Sequence, residues 1–421
     1  MARREIFVYA DWHEGKKPSL MGILSSELLR GKEIFSFEYT KEWLSSGIGQ
    51  NIDPDLQFFL GKQYLNDQHK FNFGMFLDSS PDRWGRMLMQ RREAAEARRH
   101  KRVANKLFET DYLLGVHDGH RLGGLRFKLA VDGPFLNDDL RQASPPWTSI
   151  PELEQISLML ENEGAIDHPQ YLHWLNMLIN PGSSLGGARP KASVLDSKNH
   201  LWIAKFPSRQ DDEDIGAWEI ATYYMAIAAG IQMSECQARK FSSTNHTFLA
   251  KRFDRTEGGN RVHFTSAMTQ LGYTDGADAA AGVSYLELVD FITSNGANVL
   301  NDLHELWRRI VFSICISNTD DHLRNHGFLL SDNGWYLSPA YDLNPNENGT
   351  GLKLNISESD NALDLELAME VHSYFRLGSK EAQEIIKTVK ASVIKWREIA
   401  SKIGISKSSQ EIKSRAFQLV E

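Results

Sequence analysis

The sequence predicts an α+β protein whose first half is rich in sheet and whose second half is rich in helix. Short apolar runs separated by turns fill residues 5 to 40, polar turns punctuate the chain to about residue 260, and apolar residues recur at helical steps in the tail. A chain of 421 residues also exceeds the usual single-domain range, so two lobes or two to three domains are expected.

The elements follow in order. Ile6-Phe7-Val8-Tyr9 and Ile34-Phe35-Ser36-Phe37 read as strands of a small sheet. Residues 81–109 turn helical and carry the basic cluster Arg91, Arg92, Arg98, Arg99, Lys101 and Arg102. Residues 131–151, rich in Asp, Pro and Ser, read as a linker, and 152–180 as helix leading into a Gly/Ser segment. Two strands span 191–206 around the turn Asp196-Ser197-Lys198-Asn199, and a helix over 215–230 stops at Gly230. A hairpin crosses Thr256 to Asn260. Beyond 280 the chain is mainly helical, apart from a hairpin at Asn333-Gly334. Ile385, Val389, Val393, Trp396 and Ala400 form the apolar stripe of an amphipathic tail helix.

Composition narrows the class. Apolar residues at 41% supply a sizeable core, and a net charge of −8 argues against a protein that coats nucleic acid by bulk electrostatics. Of the two cysteines, Cys315 lies in an apolar run and reads as a buried thiol, and Cys236 has no metal-ligand spacing. No run approaches the ~18 apolar residues that span a bilayer. The chain is therefore expected to be cytoplasmic, without membrane association.

Phosphoryl transfer needs a backbone loop over the phosphates, a lysine to hold them, a carboxylate to orient the attacking hydroxyl, and an Asn/Asp pair for metal. The chain offers candidates in that order. Pro181-Gly182-Ser183-Ser184-Leu185-Gly186-Gly187-Ala188-Arg189-Pro190-Lys191 has three glycines that let N–H groups approach an anion, although a Gly/Ser stretch can equally be a plain loop. Lys205 is the one residue that is not apolar in the run Leu201 to Phe206, where a lysine either snorkels out or meets an anion. Asn318-Thr319-Asp320-Asp321-His322-Leu323-Arg324-Asn325 follows an apolar helix and holds Asp320 and Asn325 at the D-x-x-x-x-N spacing of a kinase catalytic loop. Asp321 does not fit that spacing. Asp342, in Pro339-Ala340-Tyr341-Asp342-Leu343, stands where kinases keep a magnesium-binding aspartate. The bland alternative is that Asp320 and Asp321 merely decorate a helix end.

His-Arg-Asp, Asp-Phe-Gly and Ala-Pro-Glu segments are absent, and the glycine loop lies behind about 180 residues. The sequence instead resembles the HipA-type serine/threonine kinases, the toxin half of bacterial toxin–antitoxin pairs. The resemblance rests on Ser184 to Lys191, on Phe248-Leu249-Ala250-Lys251-Arg252-Phe253-Asp254-Arg255, on Asn318 to Asn325 and on Tyr341-Asp342. Phe76 to Arg83 and Leu122 to Phe127 resemble that family's N-terminal subdomain.

The resemblance implies a two-lobed protein-kinase-like fold with an added N-terminal subdomain over 1–130, a sheet-rich N-lobe core over 131–252 and an all-helical C-lobe over 253–421. It implies ATP and Mg2+ as cofactors, Asp320 as the catalytic aspartate supported by His322, and Asn325 and Asp342 as metal ligands. ATP contacts are implied for Ser184, Gly186, Gly187, Ala188, Lys191 and Lys205, and for Ala250, Lys251 and Arg252 at a hinge. Glu219 is either an ion-pair partner for Lys205 or a solvated helix carboxylate. Ser184, with Ser183 beside it, matches a loop serine that the family phosphorylates on itself. A phosphate there adds about −1.5 to −2 charge where nucleotide phosphates must sit, and so acts as an off switch. Gly182 leaves no second phosphosite two residues earlier, and His263 to Met268 lacks acidic residues that some relatives carry. The implied partners are an HTH-type antitoxin, DNA only through that antitoxin, and a protein substrate such as an aminoacyl-tRNA synthetase. Competing readings are a small-molecule kinase and a non-catalytic corepressor. His117-Asp118-Gly119-His120 reads as a polar turn before it reads as a metal site, and the Arg91 to Arg102 cluster as a solvated helix face.

Overall fold

The computed structural model describes residues 3–420 except 14, 48–50, 66, 68, 140–142, 180–186 and 188, and of residue 163 only the backbone. The chain divides into two compact units. The first comprises Met1–Arg209, Phe241–Ser243 and Lys251–Thr265, the second Gln210–Lys240, Thr244–Ala250 and Ser266–Glu421.

In the first unit, β1 (Arg4–Ala10), β2 (Ser19–Leu29), β3 (Lys32–Tyr39), β4 (Gln63–Tyr64) and β5 (Leu125–Lys128) form an antiparallel sheet in the order β4-β3-β2-β1-β5. Ile6, Val8, Leu24, Phe35 and Phe37 are buried along it, as the alternation of the apolar runs predicts. Gly22 on β2 is required, because a Cβ there would stand 2.3 Å from the Phe37 ring. The helices α1 (Lys41–Ser45), α2 (Gly74–Asp78), α3 (Arg83–Arg99) and α4 (Glu109–Gly115) precede β5 in sequence. Arg121 is buried and donates to the carbonyls of Ser79, Leu113, Val116 and Leu136 at 2.8–3.1 Å, which fastens the C-terminal ends of two helices and the chain at Leu136 to one guanidinium. The basic face of α3 is partly spent within the unit. Arg91 donates to the Leu160 carbonyl, and Arg102 pairs with Glu93. After the predicted linker come α5 (Ile150–Leu160) and α6 (Tyr171–Leu178), then the antiparallel pair β6 (Lys191–Leu195) and β7 (Leu201–Lys205) around the predicted turn.

The second unit begins with α7 (Ile215–Ala228), which ends before Gly230 at φ +82°. Asp214 caps α7 and also receives the His246 ring at 2.6 Å, tying the helix start to the antiparallel pair β8 (Cys236–Arg239) and β9 (Thr247–Lys251). Ile220, Cys236 and Phe248 pack in the layer between them. A short strand, β10 (Phe264–Ser266), leads into α8 (Ala267–Gln270). Ser284 and Glu287 form a capping box for α9 (Tyr285–Asn295). The central helix is α10 (Val299–Cys315), with Leu303, Leu306, Trp307, Ile310, Val311 and Ile314 fully buried.

The expected all-helical C-terminal lobe carries one hairpin, β11 (Gly327–Ser331) and β12 (Gly334–Leu337), at the Asn-Gly turn that signalled it. The helices α11 (Leu365–Val371), α12 (Ser379–Val393), α13 (Trp396–Ile403) and α14 (Lys407–Lys413) complete the unit. The predicted tail helix is two helices, and its apolar stripe runs buried across the break. Both cysteines are buried thiols outside any disulfide, and burial pushes the Cys315 thiol up to about 12. No helix among the described residues is long and apolar enough to cross a membrane.

Candidate active site

In the second unit, α10 delivers the polar loop from the core. The helix ends at Cys315, and Ser317 follows at φ +50°, a left-handed turn that reverses the chain. Asn318 is buried. Its backbone N–H donates to the Ser313 carbonyl at 2.8 Å and its Nδ2 reaches Ser313 Oγ at 3.3 Å. The loop therefore starts from a fixed point.

The two adjacent aspartates differ sharply. Asp321 is buried, with Tyr285 Oη donating at 2.6 Å and His326 Nε2 standing 3.1 Å from its Oδ1. Burial alone would raise its pKa, but the nearby His326 ring and the bond from Tyr285 outweigh it and hold the carboxyl low. Burial and the Asp321 charge drive the Tyr285 phenol well above its ordinary value. Asp320 is exposed, and its carboxylate has no hydrogen bond or ion pair among the described residues. Its main chain is held instead. The Asp320 carbonyl accepts from His322 N at 2.9 Å and from Asn325 Nδ2 at 3.0 Å. Asn325 N in turn donates to the His322 carbonyl at 2.8 Å, so His322 braces the turn through its backbone.

Asp342 is pinned against this loop from both sides. One residue before it, Tyr341 Oη donates to the Arg324 carbonyl at 2.7 Å. Two residues after it, Asn344 N donates to Asn318 Oδ1 at 3.3 Å, and four residues after it, Asn346 Nδ2 reaches Thr319 Oγ1 at 2.7 Å. Asp342 itself sits at φ +60°, a left-handed conformation uncommon outside glycine and tolerated best by Asn and Asp. Asp320, Asn325 and Asp342 are thus gathered on one framework.

Asn325 Oδ1 is buried and accepts no hydrogen bond among the described residues, although its Nδ2 is spent on Asp320. An orphaned buried carbonyl costs about 1–3 kcal/mol. A hard cation relieves that cost, and an amide oxygen with the neighbouring Asp342 carboxylate suits magnesium, which takes few protein ligands beside phosphates and water. The residues present fit the ion.

In the first unit, Lys191 and Lys205 are directly opposed across β6 and β7 and so share one face of the hairpin. Lys191 is buried and donates to Asp82 Oδ2 at 2.6 Å and to the Gly187 carbonyl at 3.3 Å. Asp82 also caps α3. The ammonium expected to meet a nucleotide is answered by this carboxylate, and it holds the exit of the glycine-rich segment to the start of a helix. Lys205 is half-buried at the end of β7. Gly187, at φ +84°, is the loop glycine within the described residues; Ser183, Ser184, Gly186 and Ala188 lie outside them.

The hinge candidates separate by role. Arg252 is buried and grips Asp254 at 2.6 and 2.8 Å, while its N–H donates to the Leu201 carbonyl. Two arginines, led electrostatically by Arg252, hold the buried Asp254 far below the usual carboxylate range against the cost of burial. Neither the side chain nor the N–H of Arg252 is left for a base. Lys251 pairs with exposed Glu257, and Ala250 is opposed to Cys236 on β8. Glu219 is buried on α7, which excludes a solvated helix carboxylate. The His117–His120 turn is a polar knot. Asp118 is taken by Arg126 at 2.5 Å and by Arg261, and His120 Nε2 meets Ser144 Oγ at 2.5 Å.

Sequence reading missed Tyr285, His326, Asn344 and Asn346, which hold the loop. Asn344-Pro345-Asn346, so close behind Asp342, was the available signal; Tyr285 gave none.

Over residues 183–397, just over half of the chain, the sequence matches the HipA-like C-terminal domain family. A Haemophilus influenzae protein named "Putative kinase" is 28% identical over 179 residues, 38% of this chain and 52% of the relative. A Sinorhizobium fredii protein named "Putative kinase Y4mE" is 24% identical over 148 residues, 34% of this chain and 33% of the relative. The chain thus spans about half or less of the length of these curated relatives. Among solved structures, HipA of Shewanella oneidensis, determined with HipB and its operator DNA, aligns with a TM-score of 0.65 at 17% identity, covering 98% of this chain and 95% of that one. That likeness is one of fold.

Proposed function

The chain belongs to the HipA-like C-terminal domain family, and from that membership we propose that it is an ATP- and magnesium-dependent kinase of serine or threonine hydroxyls on a protein. The observation that carries the reading is the contrast within the loop. Asp320 is free and exposed on a clamped backbone, while the adjacent Asp321 is consumed in holding that backbone.

In the proposed reaction the acceptor hydroxyl oxygen bonds to the γ-phosphorus and the bond to the β-phosphate bridge breaks. The hydroxyl proton passes to Asp320. Because this carboxylate has no partner to give up among the described residues, it can accept a hydrogen bond from the hydroxyl and align it without reorganisation. Asn325 and Asp342 would hold magnesium, which when bound neutralises phosphate charge. Lys205 is proposed as the phosphate-holding cation and Glu219 as its orienting carboxylate. Autophosphorylation of Ser184, or of Ser183, is proposed as the off switch. Because the Shewanella HipA was solved with HipB and operator DNA, an HTH antitoxin is the proposed partner, with DNA reached through it. An aminoacyl-tRNA synthetase is the proposed kind of substrate, in the cytoplasm.

The test is incubation with magnesium and labelled ATP beside Asp320→Asn, with phosphate mapped by mass spectrometry. Label on Ser184 in the parent alone supports the reading. No label in either protein, with no nucleotide heat by calorimetry, sinks it and favours a non-catalytic corepressor.

A further inference from the structure

One residue before Asp320, the second unit opens a polar cavity of about 410 Å3 whose lining includes Thr319, Asn348, Thr350, Gly351, Asp278 and Lys353. None of these residues has a part in the phosphate or metal chemistry above. The cavity is too polar to bury an apolar anchor. Its charges also cancel, because Lys353 pairs with Asp278 at 3.3 Å.

The wall beside Thr319 is bare backbone. Gly349 lies so close that a Cβ would stand 2.2 Å from Thr319 Cγ2, and at Gly351 one would stand 2.9 Å from Asn361 Nδ2. These glycines bring a stretch of main chain against the loop that bears Asp320. Gly351 bridges Ala362 in antiparallel sense, and Leu352 N donates to the Asn361 carbonyl at 2.8 Å, so the stretch is extended and paired along one edge. The opposite wall is equally fixed, since Ala279 N donates to the Lys353 carbonyl at 2.8 Å. Unspent polar groups face the space between. Thr350 is exposed with no hydrogen bond among the described residues, and Asn348 Nδ2 makes only a 3.5 Å contact with Glu347.

We propose that this groove is the acceptor subsite: it holds the segment flanking the phosphorylated hydroxyl by main-chain and amide hydrogen bonds, and so selects polar, uncharged, extended protein segments. The proposal rests on the kinase reading. Extended peptides bind this way where a paired edge and carboxamides offer donors and acceptors to each peptide group. A neutral, polar groove gives no premium to basic, acidic or large aliphatic flanks.

The experiment uses the full chain with magnesium, labelled ATP and an array of synthetic peptides, each with one serine or threonine in varied flanks. Wild type should favour Gly, Ser, Asn and Gln flanks over Lys/Arg, Asp/Glu and Leu/Ile flanks. The pair Asn348→Leu and Thr350→Val should raise the KM for accepted peptides about tenfold, as expected for a lost hydrogen-bonding contact. ATP affinity by calorimetry reports separately whether the enzyme is damaged. Unchanged peptide KM in the variant overturns the proposal, as does a preference for charged or aliphatic flanks. Transfer by ATP-binding wild type only to a sugar-like hydroxyl, or to no peptide at all, also overturns it. Failure of wild type to bind ATP instead defeats the kinase reading beneath it.

Discussion

Replacing Asp320 by asparagine removes a carboxylate that touches nothing else among the described residues, so the fold should scarcely register it. An exposed substitution of this kind stays within about 0.5 kcal/mol. Phosphoryl transfer should fall roughly 10²- to 10⁴-fold, the usual worth of a positioned acid–base group. Replacing Asp321 by alanine should do the reverse first. It strands the Tyr285 hydroxyl and the His326 ring, both buried, from the partner they reach at 2.6 and 3.1 Å. Breaking a buried charged pair by removing one member costs about 3–5 kcal/mol. For a domain of this size that lowers the melting temperature by on the order of 10 °C.

Thermal unfolding by circular dichroism and transfer of labelled phosphate, measured on both variants, separate the two roles. The assignment is refuted if Asp321→Ala melts with the parent while losing transfer, or if Asp320→Asn keeps parental activity. Acid sharpens the test. Asp321 has a depressed pKa in the folded state, so its stabilisation is present above the unfolded carboxylate value of about 3.9 and is lost as pH falls through the folded value. Below about pH 4 the parent should therefore lose stability more steeply than Asp321→Asn.

The other sites yield sharp expectations. Asn325→Ala deletes the orphaned oxygen and should raise the magnesium concentration for half-maximal transfer about tenfold while leaving the melting temperature within a few degrees; a metal titration with a melt reads both. Lys191→Met removes the cation that Asp82 Oδ2 meets at 2.6 Å in a buried ion pair, at a cost of about 3–5 kcal/mol in urea unfolding, and adding Asp82→Asn should recover part of it. His263, stacked on Trp12 at 4.5 Å, is pushed down to about 3 by burial, so it stays neutral in the fold and takes a proton only on unfolding. Stability should then fall as pH drops from about 6.5 to 3, by up to roughly 1.4 kcal/mol per pH unit more in the parent than in His263→Phe.

What could be read from the sequence was local. The Asn333-Gly334 turn and the alternating runs of β1 and β3 each follow from forces acting over a few residues, and each stands where it was expected. The tail shows the limit of that reading. Val393 and Trp396 keep helical spacing across the break at Ile394 and Lys395, whose φ/ψ of −56°/−20° and −82°/5° stay near helical values, so periodicity cannot reveal where one helix ends. The charged residues show it more strongly. Lys191, Lys205 and Arg252 read alike in the sequence, as cations beside phosphate-binding motifs. Lys191 meets its counter-ion 109 residues away, and Arg252 meets one two residues away in a knot closed by carbonyls of residues 120 and 121. Tyr285 reaches Asp321 across 36 residues. A charge next to a motif is free for chemistry only if no buried partner has claimed it, and such partners arrive through tertiary folding, which no local spacing encodes. Asp320 and Asp321 make the same point at zero separation. Spacing singles out Asp320, whereas the buried contacts of Asp321 with Tyr285 and His326, which spacing does not encode, are what occupy its neighbour.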